Sequence, residues 1–160
     1  MDSIGDILLN NDIEDTGGRR KLKNLKGSIE FKNVSFKFRK ADGSTLKNLS
    51  FSVNPGETIA FVGASGAGKS TILNLVIGFL RTTSGNIFID GEDINNLNLK
   101  EYRKNISVVP QMPILFTGTI RENITYGSDE VSEEHLAQII RSANLDEFID
   151  SLPDGLDTMV

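Results

Sequence analysis

Three features of the sequence predict an α/β fold. Several stretches alternate apolar and polar residues, as strands with one solvent-facing side do. The run TIAFVG at residues 58–63 is almost continuously apolar, which is typical of a strand covered on both faces. A glycine-rich loop follows at once, and the apolar stretch 69–80 after it has the length of a buried helix. Strand, loop and helix in this order indicate an α/β arrangement.

The first elements are predicted to be two strands of a hairpin. The stretch 29–38 reads IEFKNVSFKF, and its apolar residues change phase once, near Asn33. A phase change of one residue predicts a β-bulge or a kink at that point. After the turn signal ADGS at 41–44, the alternation resumes at 49–53 and closes at Pro55-Gly56. We therefore expect the two strands to pair.

Two further strands and a helix follow the glycine-rich loop. GNIFIDG at 85–91 is an apolar stretch between glycines, and ISVVPQ at 106–111 is ended by Pro110. Ser132 has the chemistry of a helix N-cap, and two glutamates occupy the first turn after it. Apolar residues then recur at helical spacing, which predicts an amphipathic helix: Leu136, Ile139, Ile140 and Ala143.

The amino-acid composition and net charge exclude several classes of protein. The chain has 160 residues, of which 38% are hydrophobic and 24% charged, so a soluble globular domain is predicted. The net charge of −5 gives no basic face for nucleic acid, so no nucleic-acid partner is predicted. Cysteine is absent, which excludes disulfides and thiolate sites. The run at 72–80 is far shorter than the ~20 residues of a membrane span. Residues 1–26 lack sustained periodicity and are predicted to be a linker.

The glycine-rich loop matches the phosphate-loop pattern G-x-x-x-x-G-K-[ST]. It consists of Gly63, Ala64, Ser65, Gly66, Ala67, Gly68, Lys69, Ser70 and Thr71. Its glycines allow successive backbone N–H groups to point at phosphate oxygens. Lys69 adds positive charge near the β- and γ-phosphates, and the Ser70 hydroxyl is suited to Mg²⁺. The loop predicts binding of a nucleoside triphosphate, whereas a turn without function would leave a cation unexplained at a helix start.

A catalytic triphosphatase also needs a carboxylate on a neighbouring strand to hold Mg²⁺. Asp90 is the one candidate, because it ends the apolar run IFI. However, Gly91 follows directly, and an Asp-Gly pair after a strand is typical of a tight turn. The turn is the favoured interpretation of Asp90, and the metal ligand is the alternative.

Together these motifs resemble the ATP-binding domain of ABC transporters, the exporter type in particular. The resemblance covers residues 27–160 and is carried by IEFKNVSFKF, LKNLSFSVNPGETIAFVGASGAGKST, SGNIFIDGEDI and ISVVPQMPILFTGTIRENITYG. It implies the fold of a phosphate-loop NTPase: an antiparallel β part beside a RecA-like core. Residues 1–26 would be the linker from a preceding membrane domain.

The resemblance also implies roles for individual residues. Phe38 would stack on adenine, where the family usually has tyrosine, and the segment Gly63–Thr71 would hold the phosphates of ATP. Gln111 would reach Mg²⁺ and the attacking water, so that Ser70 and Gln111 are the implied metal ligands and Lys69 and Gln111 the implied catalytic residues. The segment Phe116–Ile124 would receive the membrane-spanning domain of the same transporter.

The family's later motifs do not occur in this sequence. In the family, a signature sequence, a Mg²⁺-binding aspartate with its catalytic glutamate, and a switch histidine follow the point where the sequence reaches Val160. The resemblance therefore implies an N-terminal portion of the domain that binds ATP without hydrolysing it alone. In the intact protein it would face a second ATP-binding domain at the cytoplasmic side of the membrane. His135 does not match the switch histidine and is expected to be an exposed side chain.

Two other functions stay open on sequence alone. One is a complete small phosphate-loop kinase, which would need Asp90 as its metal ligand. The other is a non-catalytic fragment that associates with a partner through an open sheet edge.

Overall fold

The protein is described by a computed structural model covering residues 19–22, 24–39, 43–128 and 130–160. Contacts divide the chain into a first unit that ends at Val108 and a second that starts at Val109. Most of the predicted linker at 1–26 lies outside the described residues, as does the first half of the predicted turn at 41–44.

A four-stranded antiparallel sheet forms the frame of the first unit. In chain order, this unit contains the strands and helices β1 (Ile29–Phe36), β2 (Leu46–Val53), α1 (Lys69–Ile77), β3 (Ser84–Ile89), β4 (Glu92–Asp93) and α2 (Leu99–Arg103). The strand order is β2-β1-β3-β4. The predicted hairpin of β1 and β2 and the predicted strand within 85–91 are therefore confirmed.

The predicted irregularity near Asn33 is confirmed as well. In the β1–β2 ladder, Phe31 pairs with Phe51, and the register then shifts before Val34 pairs with Leu49. Asn33 has a positive φ of 50°, which asparagine tolerates better than most residues. The shift turns both Phe31 and Val34 towards the core, where both are fully buried. The phase change in the sequence is thus the sign of a bulge that keeps one face of β1 apolar.

The core of the first unit lies between this sheet and helix α1. Phe31 stacks on Phe51 with ring centroids 4.5 Å apart, and Phe51 meets Phe61 edge to face at 5.5 Å. From α1, Ile72 and Leu75 are buried in the same cluster. Aromatic pairs of this kind contribute about 0.5–1.5 kcal/mol beyond the burial of their area.

The predictions of a buried strand at 58–63 and of a further strand at 106–111 are wrong. Neither segment belongs to the sheet or to another strand pairing in the described residues. Val62 is 94% exposed and Val109 is 97% exposed. A strand needs a neighbouring strand to pair with, and no strand among the described residues pairs with either segment, although Phe61 and Ile106 pack against the core of the first unit.

Helix α1 begins at Lys69 as predicted but ends at Ile77 instead of Leu80. Gly78 has a φ of 79° and stops the helix in a left-handed C-cap. A β-carbon at Gly78 would lie 2.9 Å from Leu99 Cδ1, so a larger residue there would have to displace the Leu99 side chain and also adopt the left-handed conformation.

The second unit is helical. It contains α3 (Ile120–Thr125), α4 (Glu133–Ser142) and α5 (Asp146–Asp150). The predicted cap of α4 is confirmed, because the Ser132 hydroxyl accepts the N–H of His135 at 3.3 Å. Leu136 and Ile140 are buried, whereas the other two residues of the predicted apolar stripe are exposed. Among the described residues, no helix combines the length and the apolar character that crossing a membrane requires.

Candidate functional site

The phosphate loop joins the exposed segment 58–63 to the N-terminus of helix α1. Its backbone turns through left-handed conformations at Gly66 and Gly68, with φ values of 79° and 90°. Helix α1 has no side-chain cap and no acidic residue in its first turn. Within the described part of the chain, the amides of Gly66, Gly68 and Lys69 donate to no backbone or side-chain acceptor. The loop thus offers uncommitted donors at the positive end of a helix, which favours an anion.

The Lys69 side chain folds back over this loop. Its Nζ donates to the carbonyl oxygens of Gly63 at 2.8 Å and of Ala64 at 2.7 Å. The ammonium group is therefore held at the first residues of the loop by two backbone carbonyls. A cation held there offsets the charge of an anion that the loop amides bind.

The hydroxyl residues at the start of α1 differ in exposure. Ser70 is exposed, so its hydroxyl is accessible to a metal ion, whereas Thr71 is buried in the unit. The described residues hold no cluster of three or more His, Cys, Asp or Glu side chains that could bind a metal ion. The Ser70 hydroxyl, phosphate oxygens and water are oxygen ligands of the kind that Mg²⁺ accepts without such a cluster.

Side chains of helix α2 bond to the C-terminal end of helix α1. The Tyr102 hydroxyl donates to the Val76 carbonyl at 3.0 Å. The Arg103 guanidinium donates to the carbonyls of Ile77 at 3.1 Å and Gly78 at 3.0 Å. Burial, with a smaller contribution from the charge of Asp90, raises the pKa of Tyr102 to about 12, so its hydroxyl stays a donor at physiological pH. These bonds satisfy carbonyls that a helix end leaves unpaired.

Phe38 follows strand β1 and presents an exposed aromatic face. Its ring is 46% exposed and meets the ring of Phe36 edge to face, with centroids 4.7 Å apart and an interplanar angle of 88°. An aromatic residue that packs against one neighbour and is otherwise accessible is suited to stacking against a planar base. Phe38 and the phosphate loop belong to the first unit, whereas Gln111 belongs to the second and has an exposed side chain.

Asp90 has a structural role that explains its position. It forms a tight turn with Gly91, and both residues have positive φ values, 49° and 82°. Its carboxylate accepts the N–H groups of Lys26 at 2.7 Å and Ser28 at 2.8 Å, and that of Gly27 at 3.3 Å. The turn predicted for this residue is thus present, and the carboxylate ties the segment before β1 to the end of β3.

The substitution Asp90→Asn is expected to lower the free energy of unfolding of the first unit by about 1 kcal/mol at pH 7. Partial burial raises the pKa of the Asp90 carboxyl, but the hydrogen bonds from Lys26, Ser28 and Gly27 outweigh it and lower the pKa below 3.8. A lowered folded-state pKa stabilises the fold above the unfolded-state value, and this contribution disappears as pH falls through the lowered pKa. Urea unfolding at pH 7 and pH 3 measures both effects. A wild-type advantage that persists undiminished at pH 3 would contradict the assignment.

The segment Phe116–Ile124 is built around two side-chain-to-backbone motifs. Thr119 and Glu122 form a capping box, with the Glu122 N–H bonded to Thr119 Oγ1 at 3.1 Å and the Thr119 N–H bonded to Glu122 Oε2 at 2.7 Å. The Asn123 side chain pairs with the backbone of Phe116 in both directions, at 2.8 Å each. These contacts fix the course of the chain before helix α3.

Two features beside this segment were not identified from the sequence. The Phe116 ring stacks on Tyr126 with centroids 4.3 Å apart, and both rings are largely exposed. An apolar pocket of about 320 Å³ lies in the second unit and is lined by Leu115, Ile120, Asn123, Ile124, Leu145, Phe148, Ile149 and Val160. A spacing pattern gives no signal for either feature, because each joins residues from separate turns and helices. His135 is exposed on α4, as predicted.

Comparison with known proteins points to a single family. The sequence profile of the ABC transporter family matches residues 46–158. A Bacillus subtilis protein named as the ABC transporter ATP-binding protein YwjA is 44% identical over 149 residues, which is 93% of this chain and 26% of that protein. The ATP-dependent lipid A-core flippase of Nitrosococcus oceani is 44% identical over 89% of this chain and 24% of its own length. The ABC multidrug transporter mdr1 of Aspergillus fumigatus is 45% identical over 88% of this chain and 11% of its own.

A solved structure gives the same result for the fold. A bacterial Atm1-family ABC exporter with ATP bound superposes with a TM-score of 0.84 at 39% identity, covering 90% of this chain and 25% of that one. The chain thus spans about a quarter or less of the length of the relatives it matches. The predicted α/β fold of an ABC-type ATP-binding domain is confirmed. The phosphate loop and its sheet frame, together with these matches, show that the chain belongs to the ABC transporter family.

Proposed function

We propose that this chain binds ATP in an exporter, and that the intact transporter couples ATP binding and hydrolysis to transport across a membrane. The observation that carries the proposal is the phosphate loop with Lys69 Nζ fixed 2.8 Å from the Gly63 carbonyl oxygen and 2.7 Å from that of Ala64. Uncommitted amides and a helix N-terminus surround the same position, so charge and donors converge on one place for a triphosphate.

The proposed ligand contacts follow from the residues present. Residues from Gly63 to Thr71 would surround the phosphates, Phe38 would stack on adenine, and Ser70 with Gln111 would hold Mg²⁺. When bound, the metal ion neutralises charge on the β- and γ-phosphates. The role of Lys69 is to hold positive charge at the phosphate oxygens, and that of Gln111 is to orient water.

The proposed arrangement of the intact protein rests on its relatives. Residues 1–26 would be the linker from a membrane-spanning domain, and 27–160 the N-terminal portion of the ATP-binding domain. A second ATP-binding domain would close over the bound nucleotide at the cytoplasmic face of the membrane. The relatives named above include a lipid flippase and a multidrug transporter, so the family's substrates are diverse and the transported substrate would be chosen outside this chain.

The stacking role of Phe38 is tested by substitution. Phe38→Ala is expected to weaken MgATP binding by about 10-fold, because stacking of a base on an aromatic ring is worth roughly 1–3 kcal/mol. Phe38→Tyr keeps the ring and should restore wild-type affinity. Isothermal titration with the 160-residue chain gives the dissociation constants. The control Phe79→Ala removes another exposed ring, which lies against Arg103, and should leave the affinity unchanged.

The kinase alternative is weakened by the contacts of Asp90. Both carboxylate oxygens already accept hydrogen bonds from the segment before β1, at 2.7 Å from the Lys26 N–H and 2.8 Å from the Ser28 N–H. Asp90→Asn is therefore expected to leave the affinity for MgATP unchanged. A kinase that used Asp90 to hold Mg²⁺ would lose phosphoryl transfer in this variant.

The membrane-domain partner is proposed to dock on the exposed Phe116–Tyr126 ring pair and the apolar pocket beside it. The Asn123 side chain holds Phe116 in place, and Ile120 and Ile124 line the pocket, so the segment Phe116–Ile124 provides a formed apolar surface. Formed apolar surfaces with aromatic anchors are typical of binding sites for helices.

Docking is tested in the full-length transporter. Phe116→Ala is expected to lower transport by about 5-fold while the dissociation constant for ATP stays the same. Ile139→Ala is the control, since Ile139 is an exposed apolar residue of helix α4 that does not line the pocket. Equal losses in both variants would count against a docking role for Phe116.

A further inference from the structure

The two parts of the proposed nucleotide site are connected through one end of the β1–β2 hairpin. Phe36 and Leu46 are register partners there, and they are 6% and 7% exposed. The Thr45 N–H donates to the Phe36 carbonyl at 2.8 Å and closes the ladder at this end. Phe36 contacts Phe38, the residue proposed to stack on adenine, and Leu46 contacts Gly68 in the phosphate loop.

The Phe36 side chain packs against Phe38. Its ring meets the ring of Phe38 edge to face, with centroids 4.7 Å apart and an interplanar angle of 88°. The intervening Lys37 N–H donates to Thr83 Oγ1 at 3.0 Å, and the Thr83 N–H donates to the Ser35 carbonyl at 2.9 Å. Thr83 therefore holds the backbone at the residues directly before and after Phe36.

Leu46 supports the phosphate loop. A β-carbon built on Gly68 would lie 2.7 Å from Leu46 Cδ2 and 3.3 Å from the Thr45 carbonyl oxygen. The Gly68 backbone thus packs directly against Leu46, the first residue of β2, and against Thr45 before it. Gly68 is the residue at which the loop turns into helix α1, so this contact sets where the loop lies relative to the sheet.

We infer that Leu46 is a positioning residue that fixes the spacing between Phe38 and the phosphate loop. The inference rests on the proposed ATP binding. A ligand that contacts two subsites benefits from both only when their spacing matches its own length, because any mismatch must be corrected during binding. Leu46 acts through Phe36 and Gly68, and it selects ligands that carry both an adenine base and a triphosphate.

The test compares two ligands on the same chain. ATP reaches both subsites, whereas inorganic triphosphate reaches the loop alone. Leu46→Ala leaves a cavity between Phe36 and Gly68. We expect its affinity for ATP to fall by about 10-fold and its affinity for inorganic triphosphate by less than about 3-fold. The preference for ATP over inorganic triphosphate should then nearly disappear.

Val53→Ala provides the matched control. Val53 lies at the opposite end of the same strand β2 and is also 7% exposed, but it has no part in the contact with Gly68. It should reduce stability without changing the ratio of the two affinities. If Leu46→Ala does not fold, Leu46→Val makes a smaller cavity and should lower the same ratio by a smaller factor.

The outcomes separate this inference from the proposed function. Equal losses of both ligands in Leu46→Ala, or an unchanged ratio, would overturn the positioning role while leaving ATP binding intact in the wild type. A wild-type chain that binds neither ligand would overturn the proposed function and the positioning role with it. A ratio that falls in Leu46→Ala but not in Val53→Ala supports the inference.

Discussion

Replacing Lys69 with alanine is expected to weaken MgATP binding by roughly 100-fold, equivalent to about 3 kcal/mol. The Lys69 ammonium donates hydrogen bonds to the Gly63 and Ala64 carbonyls of the phosphate loop. Removing it deletes a positive charge at the phosphates and releases two carbonyl oxygens that would then face an anion. Titration of the 160-residue chain with MgATP measures the effect, and thermal unfolding without ligand checks that the first unit is intact.

The control for this prediction is Lys100→Ala. Lys100 is an exposed residue of helix α2, and its removal changes the net charge by the same amount. We expect the affinity for MgATP to change by less than about 2-fold, since exposed charges are screened by salt. The phosphate-loop assignment would fail if the two variants bound MgATP equally well.

The second large effect is expected at Gly85, where an alanine should destabilise the first unit by on the order of 4 kcal/mol. Gly85 has a φ of 77°, and its absent side chain faces the bulge of β1. A β-carbon there would lie 2.3 Å from the Asn33 carbonyl oxygen and 2.5 Å from that of Lys32. Both are backbone atoms of the adjacent strand, so the clash is relieved only by separating β1 from β3.

Gly91→Ala isolates the contribution of the clash. Gly91 lies just beyond the other end of β3 and has a similar φ of 82°, but a β-carbon there meets no atom within 4 Å. Its cost should be that of the left-handed conformation alone, about 1 kcal/mol. Urea unfolding of the two variants gives the comparison. Similar losses in both would mean that β1 and β3 adjust to the added carbon, and that the bulge does not require glycine opposite it.

Much of the first unit could be predicted because its signals are local. The bulge at Asn33 is visible as a change of phase, since a strand exposes alternate residues to the core. The start of helix α1 is likewise marked by the loop pattern. Its end was misplaced by three residues because Leu80 continues the apolar run, whereas the left-handed conformation of Gly78 stops the helix.

The incorrect strands at 58–63 and 106–111 show where local signals fail. An apolar run says that a segment favours burial, but pairing requires a neighbour that the run itself does not specify. The exposed Val62 and Val109 have no such neighbour among the described residues.

The role of Asp90 was only half predicted, for a related reason. The turn with Gly91 is local and was expected. The backbone N–H groups that donate to the Asp90 carboxylate lie 62 to 64 positions earlier in the chain. Asn123 is a similar case, because its side-chain amide bonds both the N–H and the carbonyl of Phe116, as a backbone partner otherwise would. Sequence spacing does not reveal such pairings, since they depend on how the chain returns to itself.

The position of the phosphate loop in the chain affects the entropy of ligand binding. The loop and helix α1 lie in the connection between β2 and β3, and both of these strands are hydrogen-bonded to β1. The two ends of the connection are therefore anchored on either side of one strand before any ligand arrives. Part of the conformational freedom that an unanchored loop would lose on binding has already been lost on folding.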